Sequence, residues 1–378
     1  MDNQHKKKKR LLQLLSYVLV ATLASAITWG LAPQQSKLEQ LASVIGRRFV
    51  ADADQTQIQD AAAAAMVAAL GDRWSYYIPA SEYQDHVNNQ NNSYVGVGIT
   101  VLRREDGTGY DIQAVEESGP AAEAGILPGD ILTHADGTAL AEREMADMRN
   151  LVMGPKNTKV VLTVLRAGET LEFTVTRRAI HTVAAKAQML PNNIGLVTIA
   201  NFHEDAGEET IAGIRELTDQ GATALIFDVR NNPGGFKKEL VEVLDYLLPE
   251  GPLFRSVIGE KEEVDRSDAD CLQLPMAVLM NGSSYSAAEF FAAALSEYDW
   301  AMTVGEQTSG KGYFQNTIEL CDGSAVNLSV GKYLTPNGVN LSEAGGLTPD
   351  IPVKPGEGVL TAQEDPQVQA AVQALTGQ

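Results

Sequence analysis

Residues 276–291 read MAVLMNGSSYSAAEFF, and this stretch decides the fold of the region around it. The apolar run 276–280 predicts a strand buried on both faces, because such short runs bounded by turn residues are typical of parallel sheets. Polar residues end the strand, and the apolar run from Ala287 predicts a helix. Ser286 therefore lies at a strand-to-helix junction, near first-turn N–H groups that favour negative charge. A serine N-cap is the alternative for any lone serine at such a place.

Strands and helices alternate on the N-terminal side of this junction. The residues at 194–199 and 224–229 predict buried strands, and those at 208–220 and 238–248 predict helices. Alternation of this kind predicts a layered α/β core with largely parallel strands, which we place at 179–360.

Two further segments with glycines follow predicted strands, at the strand ends where open α/β sheets place their ligands. Residues 228–235 read DVRNNPGG, and glycines there would let backbone N–H groups point at an oxyanion. Residues 305–315 read GEQTSGKGYFQ, with Lys311 between two glycines. A desolvated lysine would have a lowered pKa and could act as a base. An ordinary strand-to-helix connection and a solvated loop lysine are the respective alternatives.

Short strands and one short helix are predicted for 94–178. Residues 119–130, GPAAEAGILPGD, read as a helix closed by glycine and followed by a proline turn into a strand. The region resembles a PDZ domain, and its segment VGVG matches the carboxylate-binding loop. Glycines let backbone N–H groups approach a terminal carboxylate, and a strand edge accepts an extended peptide. The resemblance assigns peptide binding to Val95, Gly96, Val97 and Gly98, with a glycine-rich turn without ligand as the alternative.

Taken together, these segments resemble the C-terminal processing peptidases, the tail-specific protease family S41 of serine peptidases. Nearly the whole chain takes part, because leader, helical cap, PDZ domain and core follow the family's order. Residues 70–78, LGDRWSYYI, resemble the cap motif, and 332–338 and 346–351 resemble the closing strands. The fold implied is an α+β multidomain protein with a transmembrane helix, a helical cap, a PDZ domain and a crotonase/ClpP-like layered α/β protease core.

The resemblance also implies a role for individual residues. Ser286 falls on the nucleophile, Lys311 on the general base and Gln315 on a glutamine that supports the lysine. The oxyanion hole would use the N–H of Ala287 and one N–H from the turn, and Gly234 and Gly235 stay equal candidates. Tyr285 stands where alanine is common, and two neighbouring serines, Ser283 and Ser284, blur the choice of nucleophile.

The function implied is serine endopeptidase activity near the C-termini of exported or membrane-associated proteins, with PDZ recognition of the substrate C-terminus. Acyl transfer by a Ser–Lys dyad needs no histidine, and none of the five histidines lies in these segments. We expect no cofactor and no metal site. The alternatives are a catalytically silent PDZ-type peptide-binding protein and an α/β acyltransferase or hydrolase acting on small thioesters.

The N-terminus predicts export. Residues 6–10 read KKKKR, and the uncharged run 11–32 that follows would reach about 33 Å as a helix, enough for a hydrocarbon core of about 30 Å. The positive-inside rule keeps the basic cluster cytoplasmic and places the rest outside. We therefore expect a single-pass protein of the cell membrane with an extracytoplasmic catalytic part. Ala24-Ser25-Ala26 matches a signal-peptidase site, so cleavage and secretion is the alternative.

Charge and cysteine content bound the remaining options. Acidic residues outnumber basic ones 49 to 29, and the net charge of −20 argues against a nucleic-acid partner. Cys271 and Cys321 would be exported to a compartment that permits a disulfide, but sequence cannot supply their separation, so pairing stays open.

The predicted domain limits follow from these regions. They are 1–32 for the anchor, 33–93 for the helical cap, 94–178 for the PDZ domain, 179–360 for the peptidase core and 361–378 for a C-terminal helical tail. The helical segment before the PDZ domain and the tail are the candidate surfaces for a homo-oligomer.

Overall fold

A computed structural model describes residues 16–18, 20, 22, 36–358 and 360–377. The predicted anchor, 1–32, lies outside the described residues except for its helical residues 16–18, 20 and 22. Within the described part of the chain, no helix is long and apolar enough to cross a membrane. The chain divides into two compact units, Met1–Ala69 and Leu70–Gln378.

The described residues from 36 onwards form helices in both units and strands in the second unit only. The helices are α1 (Lys37–Arg48), α2 (Gln55–Ala68), α3 (Ala80–Gln90), α4 (Pro120–Ala124), α5 (Met145–Val152), α6 (Ala206–Asp219), α7 (Lys237–Leu247), α8 (Ala287–Glu297), α9 (Leu341–Ala344) and α10 (Pro366–Thr376). The strands are β1 (Tyr76–Ile78), β2 (Ser93–Gly96), β3 (Ile99–Arg103), β4 (Tyr110–Val115), β5 (Ile131–Ala135), β6 (Thr138–Ala139), β7 (Lys159–Arg166), β8 (Glu169–Thr176), β9 (Arg178–His181), β10 (Ala185–Leu190), β11 (Ile194–Ile199), β12 (Ala224–Asp228), β13 (Gly251–Ile258), β14 (Lys261–Ser267), β15 (Met276–Met280), β16 (Ala301–Gly305), β17 (Tyr313–Glu319), β18 (Ala325–Leu334) and β19 (Ile351–Pro352).

The first unit contains α1 and α2 among its described residues. Helix α1 begins with a capping box, in which the Ser36 side chain accepts from the Glu39 N–H and the Glu39 carboxylate accepts from the Ser36 N–H. Helix α2 begins at Asp54, whose carboxylate accepts hydrogen bonds from two first-turn N–H groups. Neither helix contains a buried residue, so local capping rather than a core defines these helices.

Residues 99–176 form an antiparallel sheet in the order β3-β4-β5-β7-β8, with β6 paired to β5. Helix α4 ends at Gly125, which adopts a left-handed conformation as the sequence predicts. The sheet and α5 enclose a hydrophobic core of their own, which includes the fully buried Tyr110, Leu132 and Val164.

A two-stranded antiparallel ribbon of β2 and β9 joins this sheet to the rest of the second unit. The buried Asn92 precedes the ribbon, and its carbonyl accepts a hydrogen bond from Thr182 N at 2.6 Å. Its side chain donates to Glu204 O at 2.7 Å and accepts from Asn201 Nδ2 at 2.9 Å. Asn92 therefore fastens both strands of the ribbon to one loop of the core.

The core is a six-stranded sheet in the order β10-β11-β12-β15-β16-β19, parallel except for the β10–β11 pair. One face packs against α6, α7 and α8. The other face packs against α10 through Val368 and Ala371. The predicted layered α/β architecture is confirmed, and both faces of the sheet are covered, which explains the uninterrupted apolar strands.

Arg230 fixes α10 to the end of β12. Its guanidinium pairs with Asp228 at 2.6 Å and with Asp365 at 2.7 Å, and it donates to Gln367 Oε1 at 2.7 Å. Asp365 is the N-cap of α10. One arginine thus connects the C-terminal helix to the loop that begins the DVRNNPGG segment.

Another antiparallel sheet has the order β1-β18-β13-β14, and β17 also pairs with β18. Strand β1 lies within the region predicted as a helical cap, 33–93, and corrects that purely helical prediction. It has three residues and depends on pairing with Ala325–Asn327, a contact that local patterns do not report.

Aromatic packing should make the core sensitive to truncation at Phe291. Its buried ring lies 5.3 Å from Phe227 and 5.7 Å from Phe202 between centroids. We expect Phe291→Ala to lower the free energy of unfolding by about 3–5 kcal/mol in urea titrations, because it leaves a cavity. The exposed Leu102 is the control, and Leu102→Ala should cost less than about 0.5 kcal/mol. Similar losses for both variants would contradict this account of the core.

Candidate active site

A cleft of about 1420 Å³ brings together residues that are distant in sequence. Its lining includes Ser286, Gly235, Lys311 and Gln315 from the predicted site. The other walls come from α3, β1, β13 and β17. No residue of 94–178 is among the described residues that line it.

Ser286 occupies a strained position at the start of α8. It is the helix N-cap, with φ 58° and ψ −127°, a region that residues with side chains rarely adopt. Of the neighbouring serines, Ser284 is fully buried and its hydroxyl donates to Val229 O at 2.8 Å. Ser283 is exposed and neither it nor Ser284 is part of the cleft lining. Of these three described serines, Ser286 is the one that lines the cleft.

A buried carboxylate connects Ser286 to Lys311. Glu289 is fully buried on the first turn of α8, and it accepts from Ser286 N at 3.0 Å and Lys311 N at 2.8 Å. It also accepts from Gly310 N at 2.7 Å and Thr308 Oγ1 at 2.5 Å. One side chain thus fixes the backbone of both predicted dyad residues. The sequence analysis gave Glu289 no role, although the Ser-x-x-Glu spacing of a capping box could have indicated its bond to Ser286.

Lys311 lies against two aromatic rings. Its Nζ is 4.6 Å from the Trp74 ring centroid and 5.6 Å from the Tyr285 ring centroid. Burial lowers the pKa of Lys311 to about 8. A neutral amine is therefore much more accessible near neutral pH than for a solvated lysine, as a general base requires.

Three charged groups affect the pKa of Lys311 in addition to the effect of burial. The carboxylates of Asp72 and Glu289 raise its pKa, whereas the guanidinium of Arg73 lowers it. Among the described residues, no hydrogen bond joins Lys311 Nζ to Ser286 Oγ. The two side chains share the cleft, and transfer of a proton requires them to approach further.

Gln315 lies on β17 in the cleft lining. Its Nε2 donates to Tyr313 O and Ser329 Oγ, each at 3.0 Å. No hydrogen bond to Lys311 is present in the described part of the chain, so its supporting role stays a prediction.

The glycine turn lies directly against Ser286. A Cβ on Gly234 would come within 2.7 Å of Ser286 Cβ and 2.8 Å of Ala287 N. A Cβ on Gly235 would meet the Phe202 backbone at 2.1 Å. Both positions also have positive φ, 84° and 154°. Side chains are excluded at both positions, and this lets the turn reach the start of α8.

The N–H groups of this turn differ in availability. Gly234 N donates to Asn232 Oδ1 at 2.8 Å. The N–H groups of Gly235 and Ala287 have no acceptor within the described residues. The pair available to a developing oxyanion is therefore Gly235 and Ala287, a choice that the sequence left open.

The predicted carboxylate-binding loop is only partly a loop. Val95 and Gly96 belong to β2 and pair with β9, which corrects the predicted four-residue loop. The carbonyls of Val97 and Gly98 each accept a backbone hydrogen bond at 2.9 Å. Their N–H groups have no acceptor among the residues described. Two free donors thus precede the start of β3 at Ile99.

Two histidines that the sequence analysis left aside also line the cleft, His86 and His203. Burial lowers the pKa of both imidazoles. His203 Nδ1 lies 2.9 Å from Asn89 O, and neither ring is hydrogen-bonded to Ser286 in the described structure.

Cys271 and Cys321 are free thiols, so the disulfide that the sequence left open is absent from this structure.

Comparisons with known proteins agree with this architecture. The model of Peptidase family S41 matches residues 193–353, and the PDZ domain model matches 112–166. A carboxyl-terminal-processing protease of Synechocystis sp. is 30% identical over 322 residues, covering 82% of this chain and 75% of that protein. A probable CtpA-like serine protease of Staphylococcus aureus is 26% identical over 345 residues, covering 90% of this chain and 69% of the relative. The solved structure of a putative S41 protease from Bacteroides fragilis aligns with a TM-score of 0.56 at 17% identity, covering 91% of this chain and 99% of that one, and this likeness concerns the fold.

Fold and site together define a serine peptidase with a PDZ domain. The chain belongs to peptidase family S41, the carboxyl-terminal processing proteases. Its enzyme class is serine-type endopeptidase, as the sequence predicts. Membership of this family supports the peptidase prediction over the alternatives of a silent peptide-binding protein and of a small-thioester hydrolase.

Replacing the Glu289 carboxylate should disable the enzyme. An amide keeps one acceptor and turns an NH2 group towards backbone donors, so at least two charge-assisted bonds, each worth about 1.5–3 kcal/mol, are lost. We expect Glu289→Gln to lower kcat at least about 100-fold, because displacement of the two reacting groups is costly. Steady-state cleavage of an unstructured protein measures this.

Glu239→Gln is the matched control. Glu239 is also buried at a helix start, where it accepts from Gly207 N at 2.8 Å. This variant should lose stability but keep kcat within about twofold, since its partners lie outside the cleft lining. Equal kcat losses in both variants would show that Glu289 acts only through stability.

Proposed function

We infer that Ser286 is the nucleophile and Lys311 the general base of this endopeptidase. The observation that carries the proposal is the Glu289 carboxylate, which accepts from the backbone N–H of both residues beside one cleft. Neutral Lys311 takes the Ser286 Oγ proton while Oγ bonds to the scissile carbonyl carbon. The proton then passes to the leaving amine as the C–N bond breaks, and water hydrolyses the acyl-enzyme.

The oxyanion of each tetrahedral intermediate would be held by the N–H groups of Gly235 and Ala287. Their lack of any other acceptor supports this assignment, and the start of α8 adds the positive end of a helix dipole. Gly234 contributes shape instead, because its own N–H is committed to Asn232.

The substrate would lie along β17 as an extended strand. Among the described strands β17 pairs only with β18, so its other edge is open, and residues 314–318 of β17 line the cleft. An extended peptide can add to such an edge through backbone hydrogen bonds that do not depend on sequence. This geometry suits cleavage of unstructured polypeptide.

The PDZ domain would bind the substrate C-terminus. The free N–H groups of Val97 and Gly98 support binding of a carboxylate, and the adjoining β3 supports addition of a peptide strand. The names of the relatives, carboxyl-terminal-processing protease among them, support cleavage near the C-terminus.

The cellular location proposed is the extracytoplasmic side of the cell membrane, with 1–32 as a single-pass anchor. The KKKKR cluster and the apolar run after it support this placement.

We also propose self-association through the first unit. The exposed Leu38, Leu41 and Val44, which recur along α1, support it.

Removing either dyad side chain should abolish cleavage. We expect Ser286→Ala and Lys311→Ala to lower kcat/KM by at least about 1000-fold towards an unstructured protein. Ser283→Ala, a change of the exposed neighbouring hydroxyl, should retain activity within about twofold. Retained cleavage by Ser286→Ala would disprove the nucleophile.

The pH dependence should report Lys311. Because the pKa of Lys311 is lowered to about 8 and the neutral amine is the active form, wild-type kcat/KM should rise with pH and level off above about 8. Below that value activity should fall about tenfold per pH unit. A profile that is flat between pH 6 and 9 at about constant KM would contradict a lysine base.

Amidating the substrate C-terminus should weaken binding. Loss of the carboxylate removes charge-assisted hydrogen bonds of about 1.5–3 kcal/mol, so we expect KM to rise about 10–100-fold at similar kcat. Paired peptides that differ only in this amide measure the effect. Equal KM values would argue against recognition of the carboxylate.

A further inference from the structure

We propose that Trp74 and Tyr285 are positioning residues of the reaction, whose rings exclude water from the Lys311 side chain and hold its Nζ at the wall of the cleft. The inference rests on the proposed function, because it requires Lys311 to be the base. It extends that function to two residues outside the dyad and the oxyanion hole.

The two rings form one surface beside Lys311. Their centroids are 5.4 Å apart and their planes are inclined by 35°. Lys311 Nζ lies over both, at 4.6 Å from Trp74 and 5.6 Å from Tyr285. Tyr285 directly precedes Ser286, so the same ring surface borders the nucleophile and the base.

Trp74 is held in place by a rigid turn. Asp72 accepts from Trp74 N at 3.1 Å and from Ser75 Oγ at 2.6 Å. Ser75 Oγ in turn accepts from Ser329 N at 3.0 Å, and Trp74 O accepts from Asn327 Nδ2 at 3.3 Å. These bonds fasten the turn to β18, so the indole is fixed relative to the cleft.

The loop that carries Lys311 is also fastened to the turn that carries Trp74. The Arg73 guanidinium lies 4.3 Å from the Trp74 ring centroid, and its Nη2 donates to Ser309 O at 3.2 Å. Ser309 is two residues before Lys311. The turn 72–75 therefore holds both the lysine loop and the ring against which the lysine side chain lies.

Two effects of the rings on Lys311 have opposite signs. A ring face attracts an ammonium by about 0.5–2 kcal/mol, which favours the charged form. Loss of water favours the neutral form, by up to about 3–5 pKa units for a fully buried lysine. The charged groups that act on the amine are Asp72, Glu289 and Arg73, and the two carboxylates favour the charged form. Since the pKa of Lys311 is lowered despite these two carboxylates, the loss of water outweighs their attraction for the charged form.

Trp74 lies in the segment LGDRWSYYI, which the sequence analysis treated only as a cap motif. The proposal gives Trp74 and Tyr285 one function, which is to keep the amine dry and within reach of Ser286.

The test is the pH dependence of Ser286 phosphonylation by a small fluorophosphonate probe, in which Oγ bonds to phosphorus as fluoride leaves, measured on the full chain beside kcat/KM for an unstructured protein. The probe reports the base without requiring polypeptide binding. We expect Trp74→Ala to admit water and to move the acid limb of both profiles up by one to two pH units. Both reactions would then be about 10–100-fold slower than in the wild type at pH 7, and both rates would recover at high pH. Trp74→Leu, which still excludes water, should move it by less than half as much. Tyr285→Ala should shift the limb in the same direction.

Trp300→Leu is the matched control. Trp300 precedes β16 at the end of that strand opposite Gly305, and it is not part of the cleft lining. Trp300→Leu should leave the acid limb of both pH profiles at its wild-type position. An unmoved limb in Trp74→Ala, with or without a uniform loss of rate, would overturn the proposal, because a structural role alone gives that result. A downward shift would overturn it too, since the rings would then stabilise the ammonium.

Failure of the proposed function would look different. Probe labelling that survives Ser286→Ala, or a wild-type acid limb that Lys311→Ala leaves unchanged, would refute the dyad itself. A limb that depends on Lys311 and is indifferent to Trp74 would refute only the inference about the rings.

Discussion

The structure of the site depends on one buried charge, the carboxylate of Glu289. Taking a carboxylate out of water is costly unless hydrogen bonds replace the lost hydration, and four donors do so here. Those donors come from two separate segments, the start of α8 and the loop 308–311. The carboxylate can keep its partners only if both segments stay in register, so the requirement to solvate one charge fixes the backbone of the two proposed dyad residues.

The cleft arises where two sheets of different kind meet. The parallel sheet supplies the strand ends that carry Ser286 and the glycine turn, and the antiparallel sheet supplies β17 and the turn that holds Trp74. The parallel part is rigid because both of its faces are covered. The PDZ-like sheet has its own core and joins this assembly through the β2–β9 ribbon and the Asn92 contacts. The PDZ-like sheet and the sheets that line the cleft therefore have separate hydrophobic cores.

Local patterns predicted the parts of the fold whose stability is local or fully buried. Strands 194–199 and 276–280 and the glycine-closed helix near 120 follow directly from apolar runs and turn residues. The short motifs that contain Ser286 and Lys311 were also visible in the sequence, because each follows a strand, and the dyad role of these residues stays a prediction. Strand β1 was missed because its three residues depend on pairing with residues 325–327. Glu289 was underestimated for the same reason, since its partners Thr308 and Gly310 lie about twenty residues away. That the Gly234 N–H is already bonded to the side chain of Asn232 could not be predicted, because no local pattern places that side chain.

The attachment of α10 has a consequence for self-cleavage. A peptidase that takes extended chain into its cleft must keep its own segments from serving as substrate. Residues 366–376 are helical, and their N-cap Asp365 is bound by Arg230 while Val368 and Ala371 are buried against the sheet. This segment would have to detach and unwind before it could lie along β17. The ion pair between Arg230 and Asp365 therefore helps to keep the chain's own C-terminal segment helical rather than extended.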